Sequence, residues 1–414
     1  MKAIILAADQ GKRMCSSLQK FLHPILGKTV IQYTVEAVLS AGIEDVTVVI
    51  SSDGAEIATT LGNIYPQLYF AIQDKPPNID HIVQAGMGRI NDNDDVLILH
   101  GDMPLLTAEF INEFTTFYKE NHADVAGTAY SPFAFNGRAL KQGLTKMDNH
   151  NSQNEYSLTD LTQILHKDGC NVQIYETIAD AVALTCIDTQ VQLAEAVWHM
   201  RNRINTKHML NGVRMIDPST VYIDNMVEIE PGVVIYPNVI IEGICKIDSD
   251  VIIGANSHLK NATIGAAAHI IQSVLHDSKV GAGTTVGPFA FLRQNANVGC
   301  KCRIGNFVEI KNSNLGDGTK AAHLTYIGDA DVGNGVNFGC GSITVNYDGK
   351  NKHRTVIEDH AFIGSNSNLV APIKIGEGAY TAAGSTITDD LQSCSLGIAR
   401  ARQVEKLNWA KAKK

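Results

Sequence analysis

Between residues 286 and 310 the aliphatic side chains keep a strict interval. Val286, Leu292, Val298, Ile304 and Ile310 recur every six residues. That interval matches neither the 3.6-residue period of a helix nor the 2-residue period of an ordinary strand. It runs through a longer stretch, Val280 to Gly384, in which aliphatic–glycine pairs repeat: Val280-Gly281, Val298-Gly299, Ile304-Gly305, Leu315-Gly316, Ile327-Gly328, Val332-Gly333, Ile363-Gly364 and Ile375-Gly376. The pattern predicts a parallel β-helix of hexapeptides, one flat strand per repeat and three strands per coil. Each aliphatic residue points inward and stacks on its neighbours. The glycine after it is expected to permit a tight corner that a Cβ would obstruct. No coil can bury its own face, so stability must come from stacking.

The first part of the chain has a different rhythm. Ala3–Ala8 reads as a buried strand, Lys28–Ser40 as a helix, Val46–Ser51 as a strand and Gly54–Leu61 as a helix. Val96–His100 is a further strand and ends at Gly101-Asp102-Met103-Pro104. This alternation predicts a parallel α/β sheet, Rossmann-like, with helices on both faces. Ligands in such sheets sit at the carboxyl ends of strands, which marks the loops Asp9–Met14 and Gly101–Pro104. Gln190–Asn211 is helical, with Leu193, Ala194, Ala196, Val197, Met200 and Ile204 as its apolar positions. The expected organisation is an α/β domain over 1–188, a connecting helix over 189–211, a β-helix over 212–390 and a tail over 391–414. The polar, cationic segment Asn346–Arg354 interrupts the repeats and should leave the coil. Insertions in solenoids often carry function.

The 414 residues leave room for two or three cores. A net charge of −9 argues against a nucleic-acid partner, which usually meets a basic face. The eight cysteines are scattered. With no signal sequence, they suggest a reducing cytoplasm. Cys300 and Cys302 are expected on opposite sides of one strand, without zinc spacing. No stretch reaches the ~18 apolar residues of a membrane span.

The β-helical half carries a more specific signal. Glu309-Ile310-Lys311, then Lys320 to Ala330 (Lys-Ala-Ala-His-Leu-Thr-Tyr-Ile-Gly-Asp-Ala), then Asn346-Tyr347-Asp348-Gly349 with Lys352 closely resemble one family. It is the bacterial bifunctional N-acetylglucosamine-1-phosphate uridyltransferase / glucosamine-1-phosphate N-acetyltransferase family, and the likeness runs from about Gly212 to Val404. The resemblance implies a left-handed β-helix, a homotrimer with sites between subunits, and acetyl transfer from acetyl-CoA to glucosamine 1-phosphate for cell-envelope precursors. Such transfer needs a neutral amine and a base with a pKa near neutrality, for which His is suited. A developing oxyanion needs a positioned N–H. A sugar phosphate needs cations. By resemblance His323 is the base, and Arg293, Lys311, Tyr326, Asn337 and Lys352 hold the sugar phosphate. Asn346 and Tyr347 shape the acetyl end, and Ser365, Ala383 and Arg400 contact coenzyme A. Cys340 stands on the coenzyme side where the family usually has Ala. Glu309 is expected to orient the histidine or the amine.

The first domain resembles the same family but departs from it. Leu6-Ala7-Ala8-Asp9-Gln10-Gly11-Lys12-Arg13-Met14 with Lys20 resembles its nucleotide loop, Leu-Ala-Ala-Gly-x-Gly-Thr-Arg-Met…Pro-Lys. The resemblance implies nucleotide contacts by Leu6, Ala7, Ala8 and Gly11, phosphate cations at Arg13 and Lys20, and Mg²⁺ ligands at Asp102 and Asp188, should the site work with UTP. Asn154–Asp160 also resembles a family segment. Against that stand three departures. Asp9 replaces a Gly and puts a carboxylate beside phosphate, and two unit charges 4 Å apart repel by roughly 4 kcal/mol at an effective dielectric of about 20. Pro76-Pro77-Asn78-Ile79 stands where the family reads uracil, with fewer donors. The region from Gly127 to Asn154 is shortened. The reading is a single-function acetyltransferase with an impaired uridyltransferase domain. Its rivals are a fully bifunctional enzyme and a non-catalytic trimeric scaffold.

Overall fold

A computed structural model of the chain describes residues 1–74, 79–147, 157–176 and 182–411. Pro76, Pro77 and Asn78, and Asn154, Glu155 and Tyr156, lie outside the described residues. The chain forms two compact units, Met1–Met200 and Arg201–Lys414.

The first unit is built on a seven-stranded sheet. Its order is Tyr69–Gln73, Val46–Ser51, Lys2–Ala7, Asp95–His100, Phe133–Asn136, Val125–Gly127 and Val172–Ile174. Lys2–Ala7 lies centrally, parallel to both of its neighbours. Its side chains alternate between two cores. Ala3, Ile5 and Ala7 pack on one face with Ile31, Val35 and Phe110, and Ile4 and Leu6 on the other with Ile82, Val83 and Leu161. That double burial is why the segment reads as a continuous apolar run. The sheet is not wholly parallel as expected. Phe133–Asn136 runs antiparallel to both of its neighbours. The helix expected from Lys28 begins at Val30, because Lys28–Thr29 pairs with Pro24–Ile25 and Thr29 supplies a capping box with Gln32.

The second unit is a parallel β-helix. Along its coils, strands pair in parallel about 17 or 18 residues apart: Thr285 with Arg303, Arg303 with Lys320, Lys320 with Asn337. Three hexapeptides close one such coil. Val286, Leu292, Ile304 and Ile310 are each 0% exposed and Val298 4%. Burying each is worth roughly 1.5–3 kcal/mol relative to exposure. The helix Gln190–Leu210 supplies side chains to the first coil. Asn205 Nδ2 donates to the carbonyls of Pro218 and Val221, and Arg201 donates to the Tyr222 hydroxyl. Such contacts close the open end of a solenoid. The strand Leu396–Gly397 adds a last rung beside Tyr380–Thr381, beyond the point where the six-residue period fades. Among the described residues no helix is long and apolar enough to cross a membrane.

Two expectations change in detail. Cys300 and Cys302 are not on one strand but in the corner before Arg303–Asn306, where the Cys302 thiol reaches the carbonyls of Cys300 and Gly316. The repeat glycines are required mainly for stacking rather than for turning. A Cβ on Gly305 would overlap the Ala322 carbonyl oxygen of the next coil, and one on Gly281 would come 2.5 Å from the Gly299 carbonyl carbon. Neither has positive φ, whereas Gly318 has φ 68° and open space around it. Gly305→Ala is therefore expected to destabilise the β-helix by about 3 kcal/mol or more, through overpacking. Gly318→Ala should cost only about 1 kcal/mol of left-handed strain. Urea unfolding of the two variants tests this, and equal midpoints would refute the stacking account.

Candidate functional site

In the β-helix, the coil repeat brings residues far apart in sequence into columns. His323 ends the strand Lys320–His323 and is exposed at a corner. The strand beneath places Asn306 in register with it, and His323 Nδ1 lies 2.9 Å from Asn306 Oδ1. Asn306 was not singled out from the sequence. Its signal was the 17-residue offset from His323, the length of one coil. The column continues upward through the backbone: Gly341 N–H donates to the Leu324 carbonyl, Asn366 N–H to that of Cys340, and Gly384 N–H to that of Ser365. Cys340, Ser365 and Ala383 thus follow His323 coil by coil at one corner, all exposed. Gly339 and Gly364 keep this corner close, since a Cβ on either would meet the backbone N–H of Ser365 or Ala383 above. Arg400 ends the column, with its Cδ 3.9 Å from where a Gly384 Cβ would stand.

Around the corner from His323 lies a second set. Arg293 pairs in register with Lys311, and Lys311 with Gly328. Gly328 leaves room that the Tyr326 ring takes up, because a Cβ there would overlap the phenol. Lys311 is buried, as is Asn346 at the root of the Asn346–Arg354 excursion. The excursion leaves the coil between Ile343–Val345 and Thr355–Ile357, as expected. Asp348 secures it by accepting from the N–H groups of Lys350 and Asn351 and lying 2.7 Å from His353 Nε2. Those N–H groups, with His353, hold the Asp348 carboxyl down at about 2. Arg354 clamps the far end on Asp331. Lys352 lies close enough to Lys311 to feel its ammonium group, which pulls it below the ordinary lysine value. Tyr347 is exposed, and its hydroxyl donates to the Gly349 carbonyl.

Two residues fall elsewhere than expected. Glu309 does not reach His323. Its Oε1 pairs with Arg293, at 2.8 Å from Nε and 2.6 Å from Nη2. Asn337 lies on Asn337–Phe338, in the sheet that carries His323 and not in the sheet of Arg293, Lys311 and Tyr326.

In the first unit Leu6, Ala7 and Ala8 are buried, and Gly11 follows with φ 59°. Lys20 stands close against Gly11, so close that a Cβ on that glycine would come 2.7 Å from the Lys20 Cβ. Its buried ammonium group meets three carboxylates: Asp9 at 2.6 Å, Asp102 at 2.7 Å and Asp188 at 2.9 Å. Burial would lower its pKa, but the Asp102 and Asp9 carboxylates outweigh that and hold it well above the ordinary lysine value. Asp9 also takes the loop: its Oδ1 accepts from Gly11 N–H. Burial would raise its carboxyl, but Lys20 and that N–H bring it below the usual range. The repulsion expected at Asp9 is thus answered inside the protein, by Lys20. Arg13 is exposed and 3.7 Å from Asp188. A cavity of about 380 Å³ opens beside this cluster, lined by His100, Tyr130 and Thr159 among others. Ser157 and Asp160 form the capping box of the helix Leu158–Lys167.

Asp102 and Asp188 are hard oxygen donors of the kind Mg²⁺ takes, and Asp102 Oδ1 is buried without a hydrogen-bond partner. As arranged, however, the set does not fit a divalent cation. The Lys20 ammonium group lies between the carboxylates that would ligate it, and no group of three or more acidic, His or Cys residues is placed to hold a metal among the described residues.

Comparison with known proteins settles the family. Residues 3–160 match the MobA-like NTP transferase domain, and residues 354–389 the bacterial transferase hexapeptide (six repeats). The Bifunctional protein GlmU of Geobacillus sp. (strain WCH70) is 42% identical over 448 aligned positions, which cover 98% of this chain and 97% of that protein. The chain belongs to the GlmU family. The Bifunctional protein GlmU of Clostridioides difficile (strain 630) is 38% identical across 100% of the chain and 98% of its own length. A solved nucleotidyl transferase from Methanothermobacter thermautotroptrophicus is 20% identical, with a TM-score of 0.41 over 49% of this chain and 98% of its own. The chain is accordingly an enzyme of the GlmU type, with a nucleotidyltransferase-like unit and a hexapeptide-repeat acyltransferase unit.

Lys20 ties the first unit together electrostatically. Lys20→Met should destabilise it by about 3–5 kcal/mol, the cost of leaving a buried carboxylate unpaired. Adding Asp102→Asn should recover part of that loss. Thermal unfolding of the single and double variants measures it, and an unaffected single variant would show that the cluster does not hold the unit.

Proposed function

We propose that the chain transfers acetyl from acetyl-CoA to the 2-amine of glucosamine 1-phosphate, with His323 as general base. The observation that carries this reading is the single column at one corner of the β-helix. The candidate base begins it and Cys340, Ser365, Ala383 and Arg400 continue it. An extended pantetheine-bearing co-substrate lying along that column would bring its thioester to His323. Lys311, Lys352 and Arg293 around the corner would face the sugar phosphate with Tyr326, and Asn346 and Tyr347 would close the acetyl end. Asn337 lies on another sheet. It shares the His323 sheet, so its place does not itself call for a neighbouring copy, and the homotrimer is proposed from the family likeness.

With Asn306 Oδ1 accepting from Nδ1–H, the His323 Nε2 lone pair is free. The neutral amine attacks the thioester carbonyl, and a C–N bond forms. Nε2 takes the amine proton as the carbonyl oxygen becomes an oxyanion, which a backbone N–H would stabilise. The C–S bond then breaks, and the coenzyme leaves as thiolate, which recovers the proton from the imidazolium. His323→Ala should lower transfer by about a hundredfold to ten-thousandfold while coenzyme A still binds. Free-thiol release and calorimetric binding measure the two effects. Near-normal turnover would remove His323 from the base role.

We infer further that uridyl transfer in the first unit is impaired, because Asp9 occupies the Gly11 N–H and Lys20 with its own carboxylate. Those groups would otherwise meet a nucleotide phosphate. The rival, a chain with both activities, is favoured by relatives named bifunctional over their full length. Incubation with acetyl-CoA and glucosamine 1-phosphate, then UTP and Mg²⁺, separates the two. Thiol without pyrophosphate is expected, and Asp9→Gly should raise UTP affinity at least about tenfold by freeing the loop. Pyrophosphate from the unaltered chain at a rate comparable with acetyl transfer would overturn the impairment.

A further inference from the structure

Asp329 follows the strand Tyr326–Gly328 in a left-handed turn, with φ 50°. Its side chain is only 9% exposed. A carboxylate so buried must be compensated. Asn312 Nδ2 donates to Oδ1 at 2.5 Å, Asn346 Nδ2 donates to Oδ2, and the Lys311 ammonium group lies 3.7 Å from that same Oδ2. Asn346 Nδ2 also reaches the Tyr326 hydroxyl at 3.5 Å. Burial would raise the Asp329 carboxyl, but Asn312, Asn346, Lys311 and Lys352 together hold it below the ordinary range. It is therefore a charged group within the site.

Lys352 is what gives this charge a purpose. The groups acting on it are Lys311, which pulls its pKa down, and Asp329 and Tyr326, which oppose that. Two ammonium groups held together repel unless an anion sits between or beside them. A bound phosphate would be that anion, and Asp329, 3.7 Å from the Lys311 ammonium group and acting on Lys352 by its charge, is a second one.

We infer that Asp329 is a positioning residue for the sugar-phosphate subsite: it holds Lys311 and Lys352 in place until phosphate arrives and, through Asn346, ties them to the acetyl end. The inference rests on the reading of Lys311 and Lys352 as phosphate ligands. Neither Asp329 nor Asn312 need touch a substrate to act in this way. The sequence offered one cue: Asp329 follows Asn312 by 17 residues, one coil later.

The test is the pH profile of kcat/KM for glucosamine 1-phosphate, with saturating acetyl-CoA. That profile reports groups of the free enzyme. In the native chain affinity is expected to fall on the alkaline side as Lys352 loses its proton. Asp329→Asn keeps the shape and removes the charge, so the alkaline limb should move down by about one pH unit. KM for the sugar phosphate should rise about tenfold or more, with kcat and KM for acetyl-CoA much less changed. The acid limb should stay in place. Asn312→Ala, on an exposed side chain, loosens Asp329 without removing it and should give a smaller effect of the same sign. It serves if Asp329→Asn does not fold. An unmoved alkaline limb in the folded variant, or a loss of kcat alone, would overturn the inference. Lys311→Ala and Lys352→Ala separate the two levels. If they raise KM for the sugar phosphate while Asp329→Asn does not, only the Asp329 role fails. If they leave that KM unchanged, the phosphate reading fails with it.

Discussion

The second unit depends on how closely one coil can lie on the next. Flat coils stacked at strand spacing leave no room for a Cβ at the corners, so glycine recurs at Gly281, Gly299, Gly305, Gly316 and Gly333. Inside, one aliphatic residue per hexapeptide fills the space. Because each coil repeats the last, outward side chains also fall into columns. The same stacking that buries Leu292 and Ile310 sets Arg293 under Lys311. Chemistry on this scaffold is therefore assembled by vertical register.

Both candidate sites use that logic differently. In the β-helix, residues one coil apart become neighbours: Asn306 with His323, Lys311 with Asp329, Asn312 with Asp329. In the first unit, charge is gathered from loops at the carboxyl ends of strands, where Asp9, Asp102 and Asp188 meet around Lys20. There, among the described residues, three carboxylates face only Lys20 and Arg13, which leaves net negative charge. In the β-helix Lys311 and Lys352 outnumber Asp329, which leaves net positive charge for an anion. That contrast is the physical basis for reading one unit as active toward a phosphate and the other as occupied by its own side chains.

Legibility followed periodicity. The six-residue interval exposed the coil, its inward residues and the excursion at Asn346–Arg354. The buried strand Lys2–Ala7 was legible because both its faces are covered. The partners within each site were not legible in the same way. A carboxylate at position 9 reads as repulsive toward phosphate, and nothing local says that Lys20 will neutralise it. Glu309 reads as available to orient a histidine or the amine, yet Arg293 one coil below takes it. Antiparallel Phe133–Asn136 was missed because pairing direction is set by the connection, not by the strand's own pattern.

By itself, then, the sequence determined the repeat, the inward aliphatic set, the family likeness and which residue types were available for acyl transfer. These are consequences of short-range spacing and composition. Only the tertiary structure decided which charges are spent on one another: Lys20 on Asp9, Asp102 and Asp188; Arg293 on Glu309; Lys311 on Asp329. The reason is that Coulomb and hydrogen-bond energies depend on distance in space and on burial. Those are settled by which coil stacks on which and which loops meet at a sheet edge.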